Sequence, residues 1–268
     1  FEAEMDARMR ARHRLETDLR QALIRQEFEV HYQPIANLAR NRISGFEALV
    51  RWAHPGRGII QPDEFIPLAE EIGLIVPLGE WVLRQACMQA MKWPSDVSVA
   101  VNISSIQLSS RNLPATVVLA LAAACLPAKR LQLEITESVF LQDNDLTLSS
   151  LHQLRELGVQ IAMDDFGTGY SSLSYLRSFP FDKIKLDKSF VNDLSDRSDA
   201  MAIVESIALL GRNLGMTTTA EGIETAEQLE TVRKVGFVEG QGYFFHRPQP
   251  MRELLHILEQ DVLAKHAA

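Results

Sequence analysis

Two cysteines in 268 residues are too few for a disulfide scaffold, and Cys87 and Cys125 lie in separate helical patterns without metal-ligand spacing. Both are expected to be reduced core residues, as suits a reducing, cytoplasmic compartment. No apolar run is long enough to span a bilayer. Positive charge is also short: 27 Lys and Arg against 35 Asp and Glu leave a formal charge of −8. That balance argues against a nucleic-acid polymer as partner, while leaving room for a small phosphorylated ligand held locally by metals. No glycine-rich loop ends in Lys-Ser/Thr, Gly167-Thr168-Gly169 precedes no Rossmann unit, and the seven histidines form no pair at helical ligand spacing. His31, His54 and His246 are read as structural or solvent-facing, and Met5, Met9, Met88 and Met91 as core or linker packing. Nothing resembles a signal peptide and Phe1 is not an initiator, so the chain is expected to be a piece of a longer protein.

What is present is 46% apolar residue content, enough for one large α/β domain or two small ones. Residues 2–25 contain no Gly or Pro and place Leu15, Leu19, Ala22 and Leu23 on one helical face, predicting an N-terminal helix. From there, β-rich runs near 28–34, 43–50, 97–102, 131–135, 159–163, 182–187, 216–220 and 237–241 alternate with helical patterns near 62–70, 77–92, 113–125, 145–157, 171–178, 197–214, 224–235 and 251–265. Eight such repeats predict a (β/α)8 barrel, with a doubly wound open sheet as the alternative. Only residues 37–42 separate the first two strands, too few for a parallel crossover, so the first strand should run antiparallel in a modified TIM barrel.

Strand parity then says where side chains point. Val97, Val99 and Val101 share one face and leave Ser98, Ala100 and Asn102 on the other; Leu131, Leu133 and Ile135 oppose Gln132 and Glu134; Ile184 and Leu186 oppose Lys183 and Lys185. With the aliphatic face under the helices, the polar face lines the barrel and ends in a charged group at the C-terminal rim, where active sites of this fold sit. The rim set is Glu47, Asn102, Glu134, Asp164, Asp165, Lys185, Glu221 and Gln241. One Lys cannot neutralise five acids, and hard oxygen ligands suit Mg²⁺ or Mn²⁺. Two such ions about 3.5–4 Å apart would suit phosphodiester cleavage. By parity, Asp164 points inward, whereas Asp165 is expected past the strand end, reaching the second ion from the loop.

The acid pair opens the motif Asp164-Asp165-Phe166-Gly167-Thr168-Gly169. Asp-Phe-Gly also belongs to the magnesium loop of protein kinases, but the catalytic-loop and lysine-strand motifs of that family are missing. Glu47-Ala48-Leu49 followed by Val50-Arg51 instead resembles the signature of EAL-domain cyclic-di-GMP phosphodiesterases. Tyr32-Gln33-Pro34, Asn102-Ile103-Ser104 with Gln107, Glu134-Ile135-Thr136-Glu137, the run 164–172, Lys185-Leu186-Asp187, Ala220-Glu221-Gly222-Ile223-Glu224 and Gln241-Gly242-Tyr243 resemble its other blocks in order.

The resemblance covers about residues 20–260 and implies hydrolysis of cyclic di-GMP to linear pGpG with two Mg²⁺ or Mn²⁺ ions. Glu47, Asn102, Glu134 and Asp164 would hold one ion, and Asp164, Asp165 and Glu221 the second. A hydroxide between them would attack phosphorus, with Lys185 orienting the water and Gln241 positioning water or substrate. Gln33, Leu49 and Arg51 would contact substrate, Arg51 as a phosphate clamp. Glu137 would support the 165–172 loop, although a helix N-terminal acid is an equal reading, and Glu224 is either a first-turn helical acid or a site support. The resemblance further implies a homodimer and an upstream GGDEF or sensory domain reached through residues 1–25 as a connector, with 26–268 as the barrel. A catalytically silent cyclic-di-GMP sensor and a two-carboxylate glycoside hydrolase remain the competing readings.

Overall fold

The computed structural model describes residues 2–137, 139, 145–167, 176, 179–195 and 198–258. Its strands are β1 (Phe28–Asn37), β2 (Arg42–His54), β3 (Gly58–Ile60), β4 (Ser98–Asn102), β5 (Leu131–Thr136), β6 (Gln160–Phe166), β7 (Lys183–Leu186), β8 (Thr217–Ala220), β9 (Glu239–Gln241) and β10 (Gln249–Pro250). The helices are α1 (Glu2–Ala22), α2 (Pro62–Glu71), α3 (Ile75–Ala90), α4 (Ser105–Leu108), α5 (Leu113–Ala124), α6 (Asp145–Glu156), α7 (Lys188–Asn192), α8 (Ser198–Leu214), α9 (Ala226–Val235) and α10 (Met251–Leu254). The helix expected over 171–178, apart from residue 176, and the end of the one expected over 251–265 lie outside the described residues. No helix among the described residues is long and apolar enough to cross a membrane.

Eight strands close on themselves in the order β1, β2, β4, β5, β6, β7, β8, β9 and back to β1. Closure rules out the open doubly wound sheet. β1 is antiparallel to both neighbours, with Gln33 opposite Glu47 on β2 and Ile35 opposite Gln241 on β9, while the other barrel pairs are parallel. The short turn between β1 and β2, with Asn41 at φ +51°, reverses the chain in the space the sequence allows.

The aliphatic face of each strand lies under the helices: Val99, Val101, Leu131, Leu133, Ile135, Ile161, Met163, Ile184 and Leu186 are all buried. α1 adds Leu19 and Ala22 to this core, and Leu15 and Leu23 pack against it. An aromatic group of Phe28, Trp52 and Phe65 fills the space between β2 and α2, and Trp52 donates its indole N–H to Glu27 at 2.9 Å.

Two packing expectations fail. Cys87 is buried and its thiol is pushed up to about 12 by burial, but Cys125 is exposed. It caps α5 in the left-handed region at φ +53°, beyond the buried stripe of a helix whose residues are apolar on every side, so periodicity could not assign its face. Met88, on the outer side of α3, and Met91, just past its end, are about half exposed.

The lower interior of the barrel is ionic. Lys183 Nζ lies 2.6 Å from Glu239 Oε2, and Glu239 also accepts the hydroxyls of Ser44 at 2.7 Å and Thr219 at 3.0 Å. Burial alone would raise the Glu239 carboxyl, but Lys183 and the two hydroxyls outweigh it and hold the group below the ordinary range. Lys183→Met is therefore expected to cost about 3–5 kcal/mol in urea unfolding by stranding a buried carboxylate, and Lys183→Met with Glu239→Gln much less. Equal losses in the two proteins would mean that the pair is not coupled.

Candidate active site

The inward-facing residues at the C-terminal ends of the strands converge on one ammonium. Lys185 on β7 is 1% exposed, and its Nζ lies 2.6 Å from Glu221, 2.7 Å from Glu134 on β5, 3.1 Å from Asp164 on β6 and 3.9 Å from Glu47 on β2. The other two sides of the mouth are amides. Asn102 Nδ2 donates to Glu47 Oε1 at 2.7 Å, and Gln241 Nε2 donates to Glu47 Oε2 at 2.6 Å and to Gln33 Oε1 at 3.1 Å. With Asn102 Nδ2 directed at Glu47, its carbonyl oxygen is the end of the amide left to face another group, and Gln241 Oε1 is buried with no hydrogen-bond partner among the described residues.

Asp165 is not past the strand end as parity implied. It lies inside β6 at a register shift, where Met163 pairs with Ile184 and Phe166 with Leu186, so that Asp164 and Asp165 together oppose Lys185. Such a β-bulge interrupts the alternation of side chains. Asp165 adopts φ +53°, a left-handed conformation that Asp tolerates better than most residues, and its N–H donates to Asp164 Oδ1 at 3.0 Å. The consequence is chemical: adjacent residues present their carboxylates to the same side, and oxygens of Asp164, Asp165 and Glu221 all lie within 4.8 Å of one another.

Electrostatics register the shortage of cations. Burial raises the Glu134 carboxyl to about 8, with Lys185 opposing and Glu47 and Asp164 adding to the rise. Burial and the neighbouring Asp164 push Asp165 up to about 6, and burial drives Glu221 well above the carboxylate range. Lys185 moves the other way from what its burial would cause, because the surrounding acids hold it well above the ordinary lysine value. Acids that would retain protons for want of positive charge, beside a buried amide oxygen with no donor, fit a divalent cation with oxygen ligands.

Beside the acids opens a cleft of about 380 Å³ lined by Gln33, Glu47, Leu49, Lys188, Asn192, Glu221, Glu224, Gln241 and Tyr243. Gln33, Leu49 and Gln241 thus line one cavity. A second groove, of about 400 Å³, reaches Leu49, Asn102 and Glu134 from the side of α2 and α3. Arg51 shares the strand face of Glu47 and gives Nη1 to the carbonyl of Val50 at 2.9 Å. Glu137 is buried just after β5; the 168–172 part of the loop it was expected to support lies outside the described residues. Glu224 is exposed at the cleft wall before α9, whose own N-terminus is capped by a reciprocal Thr225–Gln228 pair. His31 pairs with Glu29 at 2.8 Å and His54 with Asp18 of α1 at 3.3 Å, consistent with structural roles.

Sequence reading did not nominate Lys188, Asn192 and Tyr243 for the cleft, nor Gln132 beneath Glu134. Gln132 carried a signal, since it shares the inward parity of Glu134. Lys188 and Asn192 sit on a short helix whose lining face no strand period reports.

Comparison with known proteins agrees with this arrangement. The family model of the EAL domain matches residues 16–248. The chain is 54% identical over 259 residues to the uncharacterized protein y4lL of Sinorhizobium fredii, covering 97% of this chain and 31% of that protein. It is 44% identical over 259 residues to the bifunctional diguanylate cyclase/cyclic di-GMP phosphodiesterase MucR of Pseudomonas aeruginosa, covering 95% of this chain and 38% of MucR. The chain thus spans about a third of the length of these relatives. Among solved structures, the PaMucR phosphodiesterase in complex with c-di-GMP superposes with a TM-score of 0.87 at 45% identity, over 90% of this chain and 100% of that one. Motif order, barrel closure with a reversed first strand, and a match over most of its length together make this chain a member of the EAL domain family.

Proposed function

We propose that this domain hydrolyses cyclic di-GMP to linear pGpG, using two divalent cations, Mg²⁺ or Mn²⁺, held in the barrel mouth. The observation that carries the reading is four carboxylates within 4 Å of the buried Lys185 ammonium, with a fifth, that of Asp165, brought beside Asp164 by the β6 bulge. MucR, so similar over this region, is named a cyclic di-GMP phosphodiesterase, and the PaMucR structure contains c-di-GMP.

Glu47, Asn102, Glu134 and Asp164 would hold one cation and Asp164, Asp165 and Glu221 the other. When bound, the cations supply Lewis acidity and an activated water, and they neutralise the charge that grows on the phosphoryl oxygens. Everything else falls to the protein. Lys185, kept protonated by the acids around it, donates hydrogen bonds and serves as an orienting group for water or phosphoryl oxygen rather than as a base. Gln241, anchored on Glu47 and Gln33, holds water or substrate with its free carbonyl oxygen. Gln33, Leu49 and Arg51 contact the dinucleotide, Arg51 through the charge-assisted pairing with phosphate that suits a guanidinium. Glu137 and Glu224 support the loops that frame the mouth. Breaking one P–O3′ bond by water leaves a 5′-phosphate dinucleotide, pGpG.

In the full-length protein we read residues 1–25 as a connector from an upstream GGDEF or sensory domain and the barrel as part of a homodimer; the diguanylate cyclase activity named for MucR, and the two-thirds of that protein lying outside the matched part, support the first point. The test of the main reading is chromatography of nucleotides after incubation of purified protein with cyclic di-GMP. Mg²⁺ or Mn²⁺ is expected to give pGpG, and excess chelator to abolish it. Tight binding with no linear product under any metal would overturn the enzyme in favour of a silent sensor.

A further inference from the structure

Glu134 is the most enclosed acid of the mouth, and both of its oxygens are engaged. Oε2 receives Lys185 Nζ at 2.7 Å, and Oε1 receives the side-chain amide of Gln132 at 2.7 Å. Gln132 stands two residues earlier on β5, so the parity that aims Glu134 inward aims Gln132 at the level beneath it. It is 1% exposed, and the residues paired with it on the flanking strands are Ala100 and Gln160. Ala100 has no donor to offer in its place. The amide orientation follows from the contact itself, since the flipped form would set two oxygens 2.7 Å apart.

A carboxylate has a broad torsional freedom about its last side-chain bond. Held from below at Oε1 and from the side at Oε2, Glu134 loses that freedom and turns one oxygen toward the mouth. We propose that Gln132 is a positioning residue of this site: its amide locks the Glu134 carboxylate in the orientation that presents Oε2 to Lys185 and to the cation. The assignment rests on the reading of the acids as a metal centre. Groups that hydrogen-bond a ligating carboxylate from behind typically govern metal affinity or activity by about 10–100-fold.

Gln132→Leu removes the donor at similar size, and Gln132→Met does so with a more adaptable chain. Mn²⁺ would be titrated calorimetrically into each metal-free protein without nucleotide, alongside steady-state kinetics at low and high Mn²⁺. The expected result is Mn²⁺ binding weakened about tenfold or more in both variants. At low Mn²⁺ kcat falls and recovers as Mn²⁺ is raised, while KM for cyclic di-GMP at saturating Mn²⁺ stays within about twofold. Equal Mn²⁺ affinity in wild type and both variants overturns the role of Gln132 and leaves the metal centre standing. Absence of Mn²⁺ binding by the wild type overturns the metal centre, and the role of Gln132 with it.

Discussion

Asp164→Asn is expected to lower cyclic di-GMP turnover by more than about 100-fold, beyond the range typical of losing an outer hydrogen-bond partner of a metal ligand. Asparagine keeps the shape of the side chain and an acceptor for the Asp165 N–H, which now lies 3.0 Å from Asp164 Oδ1. It removes only the charge that two cations would share. Because the mouth already holds more negative charge than Lys185 can offset, the substitution should leave the metal-free fold intact and even raise its melting temperature, by relieving repulsion among Asp164, Glu134 and Glu221. Glu47→Ala should lose activity comparably, although with some loss of order, since Glu47 receives both Asn102 and Gln241. Chromatographic product assays and thermal melts measure the two effects separately. Full activity in Asp164→Asn would sink the metal-centre assignment.

The second large effect concerns Lys185. Replacing it with Met should abolish most activity and destabilise the metal-free protein by about 3–5 kcal/mol, as when one partner of a buried ionic group is removed. Lys185 is buried, so bulk solvent compensates little for its loss, and four carboxylates lie within 4 Å of its Nζ. The loss should depend on pH with a definite sign. Asp165 and Glu134 have folded-state values raised to about 6 and about 8, so the native protein binds more protons than the unfolded chain through this range. Their contribution is thus fullest at acid pH and is lost as pH rises through those values. The metal-free wild type should become less stable from about pH 5 to 8, with Lys185→Met showing a steeper fall; Mg²⁺ or Mn²⁺ should restore more of the melting temperature at pH 8 than at pH 6. A melting temperature unchanged by Lys185→Met, at every pH and with or without metal, would show that the ammonium is not what holds the acids together.

Much of this site is legible in the amino-acid order. The six-residue gap after the first strand forced that strand to reverse, and in the closed barrel it is accordingly antiparallel to both neighbours, with Ile35 opposite Gln241. Two-residue parity put Asn102, Glu134, Asp164 and Lys185 on one interior face because successive strand residues must alternate. Parity failed where the backbone itself departs from a regular strand. Asp165 turns to the same side as Asp164 only because the chain takes φ +53° within a bulge, which no residue type in that stretch announces. Cys125 and the two methionines were misplaced for different reasons: on α5, apolar on nearly every side, neighbours in space rather than period decide which face is covered, whereas Met88 falls outside the buried stripe of α3 and Met91 lies just past its end.

The amino-acid order by itself determined the barrel, the reversal of its first strand and the identity of the acids at its mouth, because these depend on hydrophobic period, loop length and strand parity, all properties of local chain geometry. Only the folded structure decided that Lys185 stands among four of those acids, that Asp165 joins them through a bulge, that Gln132 braces Glu134 and that Lys183 pairs with Glu239 one level down. The bulge and the Gln132 contact are local but rest on torsions that strand parity does not report, whereas the Lys185 and Lys183 pairings cross strands far apart in sequence. Their distances are set when the sheet closes and its layers come into register, and charge has meaning there only once water is gone.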